Sequence, residues 1–346
     1  MIENNKYFLL FIPAILSYLL IFFLIKNSKR KILNKLLDVE FFKTQSFHKK
    51  PTLKIGGILI YFFILISFLV FRNSSLLRDI FYISTLIFFF SVLEDLKIKI
   101  SPLIRLGALS LIIFSCVKLF NLKIYSVQFY NFDYFLNNNQ IFSLIFTTLC
   151  IVFVINGSNF IDGFNGLLGI HSSIIIFILS IINFYFDNFE LLFICILFLT
   201  NLIIFLIFNF PNSKIFLGNS GSYLLGLIIA ILVILTSQKT QYHKVYPFFF
   251  ACLLNYIFFE TFFSFFRKII YEKKNPLYPD KKHLHMLVFR YFKTHFKTTL
   301  SINFFYILTM VVVFFFFSNP GILKILFILQ ILLYITIYLL LVSKRK

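Results

Sequence analysis

Long runs of Ile, Leu and Phe, separated by short polar segments, follow one another along almost the whole chain. A helix needs about 20 mostly apolar residues to cross a bilayer, so runs of this length predict membrane-spanning helices. About 11 segments meet this criterion, roughly 7–25, 55–71, 76–93, 103–120, 140–156, 167–186, 189–208, 220–237, 245–266, 298–317 and 320–342. The pattern predicts an all-α, polytopic integral membrane protein with a single domain over residues 1–346.

The composition excludes a water-soluble domain, because 60% of the 346 residues are hydrophobic and only 13% are charged. The formal net charge of +20 raises the alternative of nucleic-acid binding. When alternate loops are assigned to opposite sides, however, one side receives about 25 of the 33 Lys and Arg residues, in segments 26–54, 94–105, 156–166, 209–218, 267–297 and 344–346. The positive-inside rule makes that side cytoplasmic, with the N-terminus outside and the C-terminus inside. The basic excess therefore indicates topology and not nucleic acid.

A polar cluster lies between the fifth and sixth predicted spans. Asn156, Asn159, Asp162 and Asn165 follow one another at three-residue spacing, which places them on one drifting stripe if the segment is helical. The glycines among them would let a ligand or another backbone approach closely. Because unpaired polar side chains at the edge of a bilayer are costly, the cluster predicts a functional site more strongly than a plain polar turn.

Two adjacent carboxylates, Glu94 and Asp95, end the third predicted span, with Lys97, Lys99 and Arg105 close behind them. Adjacent carboxylates repel each other, and a divalent cation or a base relieves that repulsion. Taken alone, a solvated helix end with local ion pairs explains this motif equally well.

The segment from Gly218 to Ser222 is rich in glycine and serine and comes just before an apolar span. Open backbone N–H groups at a helix start favour the binding of phosphate. An ordinary capped turn explains the segment nearly as well.

A basic loop after the ninth span carries His283 and His285 beside Asp280. Imidazoles in such a loop suit contact with a diphosphate or transfer of a proton. Two histidines without a cysteine or a third histidine nearby are weak evidence for zinc.

All of these motifs, together with the segment from His48 to Gly57, fall on the predicted cytoplasmic side. Unusual residues from five separate parts of the chain thus lie at one membrane face, which predicts one composite site. A transporter would more often place such residues near the middle of the bilayer, in two related halves.

In this order, the motifs resemble those of the polyprenyl-phosphate N-acetylhexosamine-1-phosphate transferases of glycosyltransferase family 4, which include phospho-N-acetylmuramoyl-pentapeptide transferase. The segment His48 to Gly57 is similar to the family's first cytoplasmic loop, and Glu94–Asp95 to its Asp-Asp pair. Asn156 to Gly166, Gly218 to Ser222 and His283 to His285 resemble the remaining three motifs. Eleven spans resemble the branch that starts O-antigen, enterobacterial common antigen or teichoic acid synthesis, which lies in the bacterial inner membrane.

The resemblance implies transfer of a sugar-1-phosphate from a UDP-N-acetylhexosamine to undecaprenyl phosphate, with release of UMP and with Mg²⁺, or alternatively Mn²⁺, as cofactor. It implies that Asp95, helped by Glu94, orients or deprotonates the lipid phosphate, and that Asp162 serves nucleotide binding or the metal shell. Further roles follow for residues in the same motifs: Asn165 and Asn219 as metal ligands, Asn159 and Ser222 in substrate binding, and Lys54, His283 and His285 at the diphosphate.

Three positions depart from the family pattern. Glu94 stands where the family has the first Asp of the pair, and Asn165 and Asn219 stand where it usually has Asp. A neutral amide oxygen is a weaker Mg²⁺ ligand than a carboxylate. Two alternatives therefore stay open, a transporter of lipid-linked intermediates and a catalytically silent scaffold. The sequence identifies neither the sugar nor the downstream polymer, and it leaves open whether the chain forms a homodimer.

Overall fold

The computed structural model describes residues 9–27, 33–39, 51–98, 100–240, 245–276, 278 and 280–343. Within these residues nine helices are long and apolar enough to cross a membrane, and two shorter apolar helices, Phe11–Lys26 and Gly56–Val70, accompany them. Together they coincide with the spans expected from the sequence, which confirms the polytopic all-α fold. His48 and the basic tail 344–346 lie outside the described residues.

Numbered in chain order, the helices are α1 Phe11–Lys26, α2 Gly56–Val70, α3 Ser75–Asp95, α4 Pro102–Leu119, α5 Tyr130–Asn138, α6 Gln140–Ile161, α7 Leu167–Tyr185, α8 Phe189–Asn209, α9 Gly218–Thr240, α10 Pro247–Phe266, α11 Leu284–Phe292, α12 His295–Phe315 and α13 Pro320–Ser343. A 3₁₀ turn spans Leu33–Leu36, and a π-helical turn, Arg267–Tyr271, continues α10. The short helices α5 and α11 are each nine residues long, too short to cross a bilayer.

Helix α9 forms the centre of the bundle. Its apolar segment is 89% buried, and it packs against α2, α3, α6, α7, α8 and α10. Helix α13 is only 11% buried and packs mainly on α10, with further contacts to α11 and α12. A helix that is apolar all round must be covered by other helices or by lipid, so α9 is the core and α13 belongs to the lipid-facing surface.

Glycines bring α6 close to its two neighbours. A Cβ added at Gly226 of α9 would lie 2.7 Å from Ile155 Cα of α6. A Cβ added at Gly157 of α6 would overlap the Ile257 carbonyl oxygen of α10. Small residues at helix contacts let backbones approach in membranes, where packing contributes much of the association energy.

A small three-stranded sheet caps one end of the bundle. Strand β1 (Leu37–Asp38) pairs antiparallel with β2 (Thr52–Lys54), which pairs parallel with β3 (Ile215–Phe216). The Gly57 N–H also donates to the Leu217 carbonyl oxygen at 3.0 Å. The sheet therefore joins the start of α2 to the start of α9.

The close α6–α9 contact can be tested with Gly226→Ala. We expect a loss of about 1–3 kcal/mol of stability, because the new methyl group would overlap the α6 backbone. The measurement is thermal unfolding of the purified protein in detergent. Gly107→Ala in α4 is the matched control, since a Cβ there would meet nothing within 4 Å. Equal melting temperatures for the two variants would contradict the packing described.

Candidate active site

Asp95, the last residue of α3, caps the first turn of α9. Its Oδ1 accepts from the Asn219 N–H at 2.8 Å, and its Oδ2 accepts from the Ser220 N–H at 2.9 Å and from the Ser220 hydroxyl at 2.5 Å. Asp95 is only 4% exposed. Gly218 has a φ of +72°, and a Cβ there would lie 2.8 Å from both carboxylate oxygens, so a glycine is needed at this approach.

Glu94 has one engaged and one unengaged carboxylate oxygen. Its Oε2 accepts from the Asn219 side-chain amide at 2.7 Å and from Arg105 Nη1 at 3.4 Å. Its Oε1 is buried and has no hydrogen-bond partner among the described residues. Because a buried carboxylate oxygen is costly without a partner, this atom is available for a cation or a ligand donor.

Asp162 follows the last residue of α6 and is half-buried. Its carboxylate has no hydrogen bond or ion pair with any residue that the structure describes. Burial and, to a smaller extent, the negative charge of Asp95 raise its pKa to about 7, while the charge of Lys54 opposes both. A carboxylate that is poorly solvated and unpaired gains most from a bound cation.

Lys54 lies on β2 beside this group of acids. Its Nζ is 3.0 Å from Asp38 Oδ2 on the neighbouring strand, and its charge reaches Asp162. The pairing of β2 with β3 therefore brings a cation from the segment before α2 to the start of α9.

Ser222 and Asn159 join α9 to α6. The Ser222 hydroxyl donates to Asn159 Oδ1 at 2.8 Å and lies 3.1 Å from the Asn219 carbonyl oxygen. Ser222 is fully buried, whereas Asn159 is partly exposed. Of these two predicted substrate-binding residues, Asn159 is the one with a surface that a ligand can reach.

His283 is held between two carboxylates. Its Nδ1 lies 2.8 Å from Glu260 Oε1 in α10, and its Nε2 lies 3.6 Å from Asp280 Oδ1. The ring is buried. Both ring nitrogens therefore face protein groups, and contact of His283 with a diphosphate stays a prediction.

His285 has a free ring nitrogen at the site. Its Nε2 is buried without a hydrogen-bond partner among the described residues, and a Cβ at Gly163 would lie 3.4 Å from it. Its Nδ1 is 3.5 Å from the Tyr256 hydroxyl. Burial lowers the pKa of His285 to about 4, so the imidazole is neutral at neutral pH. A neutral imidazole thus lies beside the residue that follows Asp162.

Asn165 lies among a different set of residues. Its side-chain amide donates to the Pro211 carbonyl oxygen at 2.9 Å, and its N–H donates to His295 Nδ1 at 3.4 Å. Its carbonyl oxygen accepts from the Thr299 hydroxyl at 2.8 Å. These contacts fix the loops between helices, and none of them involves the acids at the start of α9. Its role as a metal ligand stays a prediction.

A model of the family described as glycosyl transferase family 4 matches residues 77–237. This segment runs from α3 to α9 and contains Asp95, Asp162 and Asn219. The matched segment is similar to glycosyl transferase family 4. The expected resemblance to this family, and the enzyme class of the glycosyl-1-phosphate transferases, are thus confirmed.

Three similar proteins show how far the similarity extends. Undecaprenyl-phosphate alpha-N-acetylglucosaminyl 1-phosphate transferase of Thermotoga maritima is 28% identical over 241 residues, covering 69% of this chain and 68% of the relative. Phospho-N-acetylmuramoyl-pentapeptide-transferase of Dictyoglomus turgidum is 32% identical over 197 residues, covering 56% of this chain and 62% of the relative, which is less than two thirds of that protein. A probable undecaprenyl-phosphate N-acetylglucosaminyl 1-phosphate transferase of Bacillus subtilis is 28% identical over 283 residues, covering 80% of this chain and 75% of the relative.

The oxygen donors around the start of α9 suit a hard cation, as the family resemblance implies. The described residues contain no group of three His, Cys, Asp or Glu side chains that could hold a metal ion. They do contain the unpartnered Glu94 Oε1, the unpaired Asp162 carboxylate and the half-buried Asn219 amide. Mg²⁺ usually takes one or two carboxylates and completes its shell with water and substrate phosphate, so this donor set fits Mg²⁺.

One buried acid of the chain was missed in the sequence. Glu260 lies inside the predicted span 245–266 and is 1% exposed. An acid within a membrane span is rare and usually functional, which is the signal that could have found it. Its partners, His283 and Tyr334, could not be found from the sequence because they lie far along the chain.

The capping role of Asp95 predicts that Asp95→Asn destabilises the protein by about 1–3 kcal/mol. The new side-chain NH₂ group would face either the N–H and hydroxyl of Ser220 or the N–H of Asn219. Because donors would then face donors, at least one buried donor would be left without an acceptor. The measurement is thermal unfolding without divalent cations. Asp162→Asn is the matched control and should not lower stability, because it removes a poorly solvated carboxylate that no described residue pairs with. A melting temperature of Asp95→Asn equal to that of the wild type would contradict the capping role.

Proposed function

We propose that this chain transfers a sugar-1-phosphate from a UDP-N-acetylhexosamine to a polyprenyl phosphate such as undecaprenyl phosphate. An oxygen of the lipid phosphate attacks the β-phosphorus of the donor. The bond between that phosphorus and the bridging oxygen breaks, UMP leaves with this oxygen, and a polyprenyl diphosphate-linked sugar remains. The names of the relatives from Thermotoga maritima and Bacillus subtilis support this acceptor and this type of transfer.

The observation that carries the proposal is the unengaged Glu94 Oε1 together with the unpaired Asp162 carboxylate, both close to the start of the central helix. With Asn219, they are the candidate ligands of Mg²⁺. Bound there, Mg²⁺ would supply positive charge that neutralises the diphosphate and the leaving UMP. The alternatives of a transporter and a silent scaffold do not account for unengaged carboxylate oxygens at this one place.

Residues around the start of α9 would bind the UDP-sugar donor. Asn159 has the accessible amide for the uracil or ribose, and Lys54 supplies a positive charge close to the acids. His285 presents a neutral ring nitrogen beside Gly163, suited to a hydrogen bond with a phosphate oxygen. Asp95 holds the first turn of α9 and thereby fixes Asn219, while its direct action on the lipid phosphate stays a prediction.

An apolar cavity of about 360 Å³ between α10, α11, α12 and α13 is our candidate groove for the prenyl chain. Its wall is almost wholly apolar and includes Leu284, Val288, Phe305 and Leu341. Leu284 lies between His283 and His285, so the groove ends beside the site. Because a lipid phosphate is largely ionised near neutral pH, an acceptor seated there needs orientation more than a strong base.

From the positive-inside rule we infer that this site faces the cytoplasm, where soluble nucleotide sugars would reach it, and the family resemblance implies a bacterial inner membrane. The reaction would then be the first membrane step in the synthesis of a cell-envelope polysaccharide such as O-antigen. The basic loops would also attract anionic lipid and phosphate to this face.

A transfer assay tests the function. Purified protein is incubated with undecaprenyl phosphate, Mg²⁺ and a panel of radiolabelled UDP-sugars, and both UMP release and label in the lipid are measured. We expect Mg²⁺-dependent transfer from a UDP-N-acetylhexosamine and a loss of at least about 100-fold in kcat for Asp162→Asn. Asp187→Asn, far from the site at the end of α7, is the control variant and should keep wild-type activity. Absence of UMP release with every sugar would contradict the proposal.

Asn219→Asp tests the metal role of this position. A carboxylate at 219 would lose the amide hydrogen bond to Glu94 and repel it, unless a cation lies between them. We expect tighter Mg²⁺ binding, by about 10-fold, together with lower thermal stability when Mg²⁺ is removed. Isothermal titration and melting with and without Mg²⁺ measure the two effects. An unchanged Mg²⁺ affinity would place the ligand elsewhere.

A further inference from the structure

Glu260 is a buried acid that has no role in the proposed binding and transfer of the sugar-1-phosphate. It lies in the candidate span Pro247–Tyr271 and is 1% exposed. Its Oε1 accepts from His283 Nδ1 at 2.8 Å and from the Leu284 N–H at 3.1 Å. Its Oε2 accepts from the Tyr334 hydroxyl at 2.7 Å. A carboxylate at this depth is costly, so the three donors must hold it firmly in one place.

The two hydrogen bonds to Oε1 fix the segment that carries both histidines. One holds the ring of His283, and the other holds the backbone at Leu284, the first residue of α11. That N–H lacks a partner within its own helix, so Glu260 also caps the start of α11. Since His285 is the next residue, its place beside Gly163 depends on the same anchor.

The hydrogen bond to Oε2 reaches the groove. Tyr334 of α13 forms part of the wall of the apolar cavity, as do Leu284 and Tyr256. Tyr256 in turn lies at 3.5 Å from His285 Nδ1. Of these three residues in the groove wall, Tyr334 and Leu284 therefore bond directly to Glu260, and Tyr256 contacts His285.

We propose that Glu260 is a positioning residue that fixes the His283–His285 segment against the site and, through Tyr334, couples that segment to the occupant of the apolar groove. This role rests on the proposed function, because the groove is assigned there to the prenyl chain. It predicts that an apolar chain bound against Tyr334 makes the histidine segment more rigid.

The first test uses Glu260→Gln, which keeps the size and an acceptor oxygen but removes the charge. We expect kcat for sugar-phosphate transfer to fall by about 10- to 100-fold, with little change in KM for the nucleotide sugar. In a double-mutant cycle with His283→Ala, the two losses should be strongly non-additive, because Glu260 acts through His283. Glu272→Gln is the matched control, since Glu272 contacts Arg267 and Lys282 and neither histidine. It should keep wild-type activity.

The second test needs no turnover. Hydrogen exchange of the backbone over 280–290 should be faster in Glu260→Gln than in the wild type. Addition of undecaprenyl phosphate should slow that exchange in the wild type and in Tyr338→Phe, a neighbouring ring outside the cavity wall, but not in Tyr334→Phe.

The outcomes separate the positioning role from the proposed function. Wild-type exchange and wild-type kcat in Glu260→Gln would overturn the positioning role, and additive losses in the cycle would show that Glu260 does not act through His283. Equal protection by the lipid in Tyr334→Phe and the wild type would overturn the coupling. A wild-type protein without transfer activity would contradict the proposed function, and the exchange data would then decide the positioning role alone.

Discussion

The site depends on how the first turn of α9 is capped. The first N–H groups of any helix lack partners within the helix, and at the start of α9 the residues Asp95 and Ser220 are almost fully buried. The Asp95 carboxylate supplies the missing acceptors from the end of α3, 124 residues away in the chain from Asn219. The negative charge also lies at the positive end of the α9 dipole, which favours it further. Two helix ends are thereby locked together at one membrane face.

Other contacts add further helix ends to this pair. The Gly57 N–H at the start of α2 bonds to Leu217, and Ser222 of α9 bonds to Asn159 near the end of α6. Asp95 and Glu260, whose carboxylate oxygens all have hydrogen-bond donors, hold the helix ends around the site in place. The carboxylate of Asp162 and one oxygen of Glu94 lie among these helix ends without hydrogen-bond partners in the described part of the chain. The distinction between satisfied and unsatisfied carboxylates separates residues that build the site from residues that can bind something in it.

The helices could be predicted from the sequence because apolar runs long enough to span a bilayer are rare outside membrane helices. The same pattern of apolar runs also predicted that the polar motifs lie together at one membrane face. The pairings could not be predicted, since capping by Asp95 and the contacts of Glu260 join residues far apart in the chain. Asn165 shows a second limit. Three-residue spacing grouped it with Asp162, but α6 ends at Ile161, so the helical spacing no longer applies and Asn165 anchors the Pro211 loop.

The neutral side chain at position 219 is consistent with an active site once Glu94 is considered with it. The Asn219 amide nitrogen donates to Glu94 Oε2, and Arg105 contacts the same oxygen. A carboxylate at 219 would instead add a third negative charge to Glu94 and Asp95 within a few ångströms. The longer arm of Glu94 and the amide of Asn219 thus form a matched pair. With this pair, only the Glu94 and Asp95 carboxylates lie together at the start of α9, and Glu94 Oε1 stays free. The amide at position 219 therefore gives no reason by itself to regard the chain as a silent scaffold.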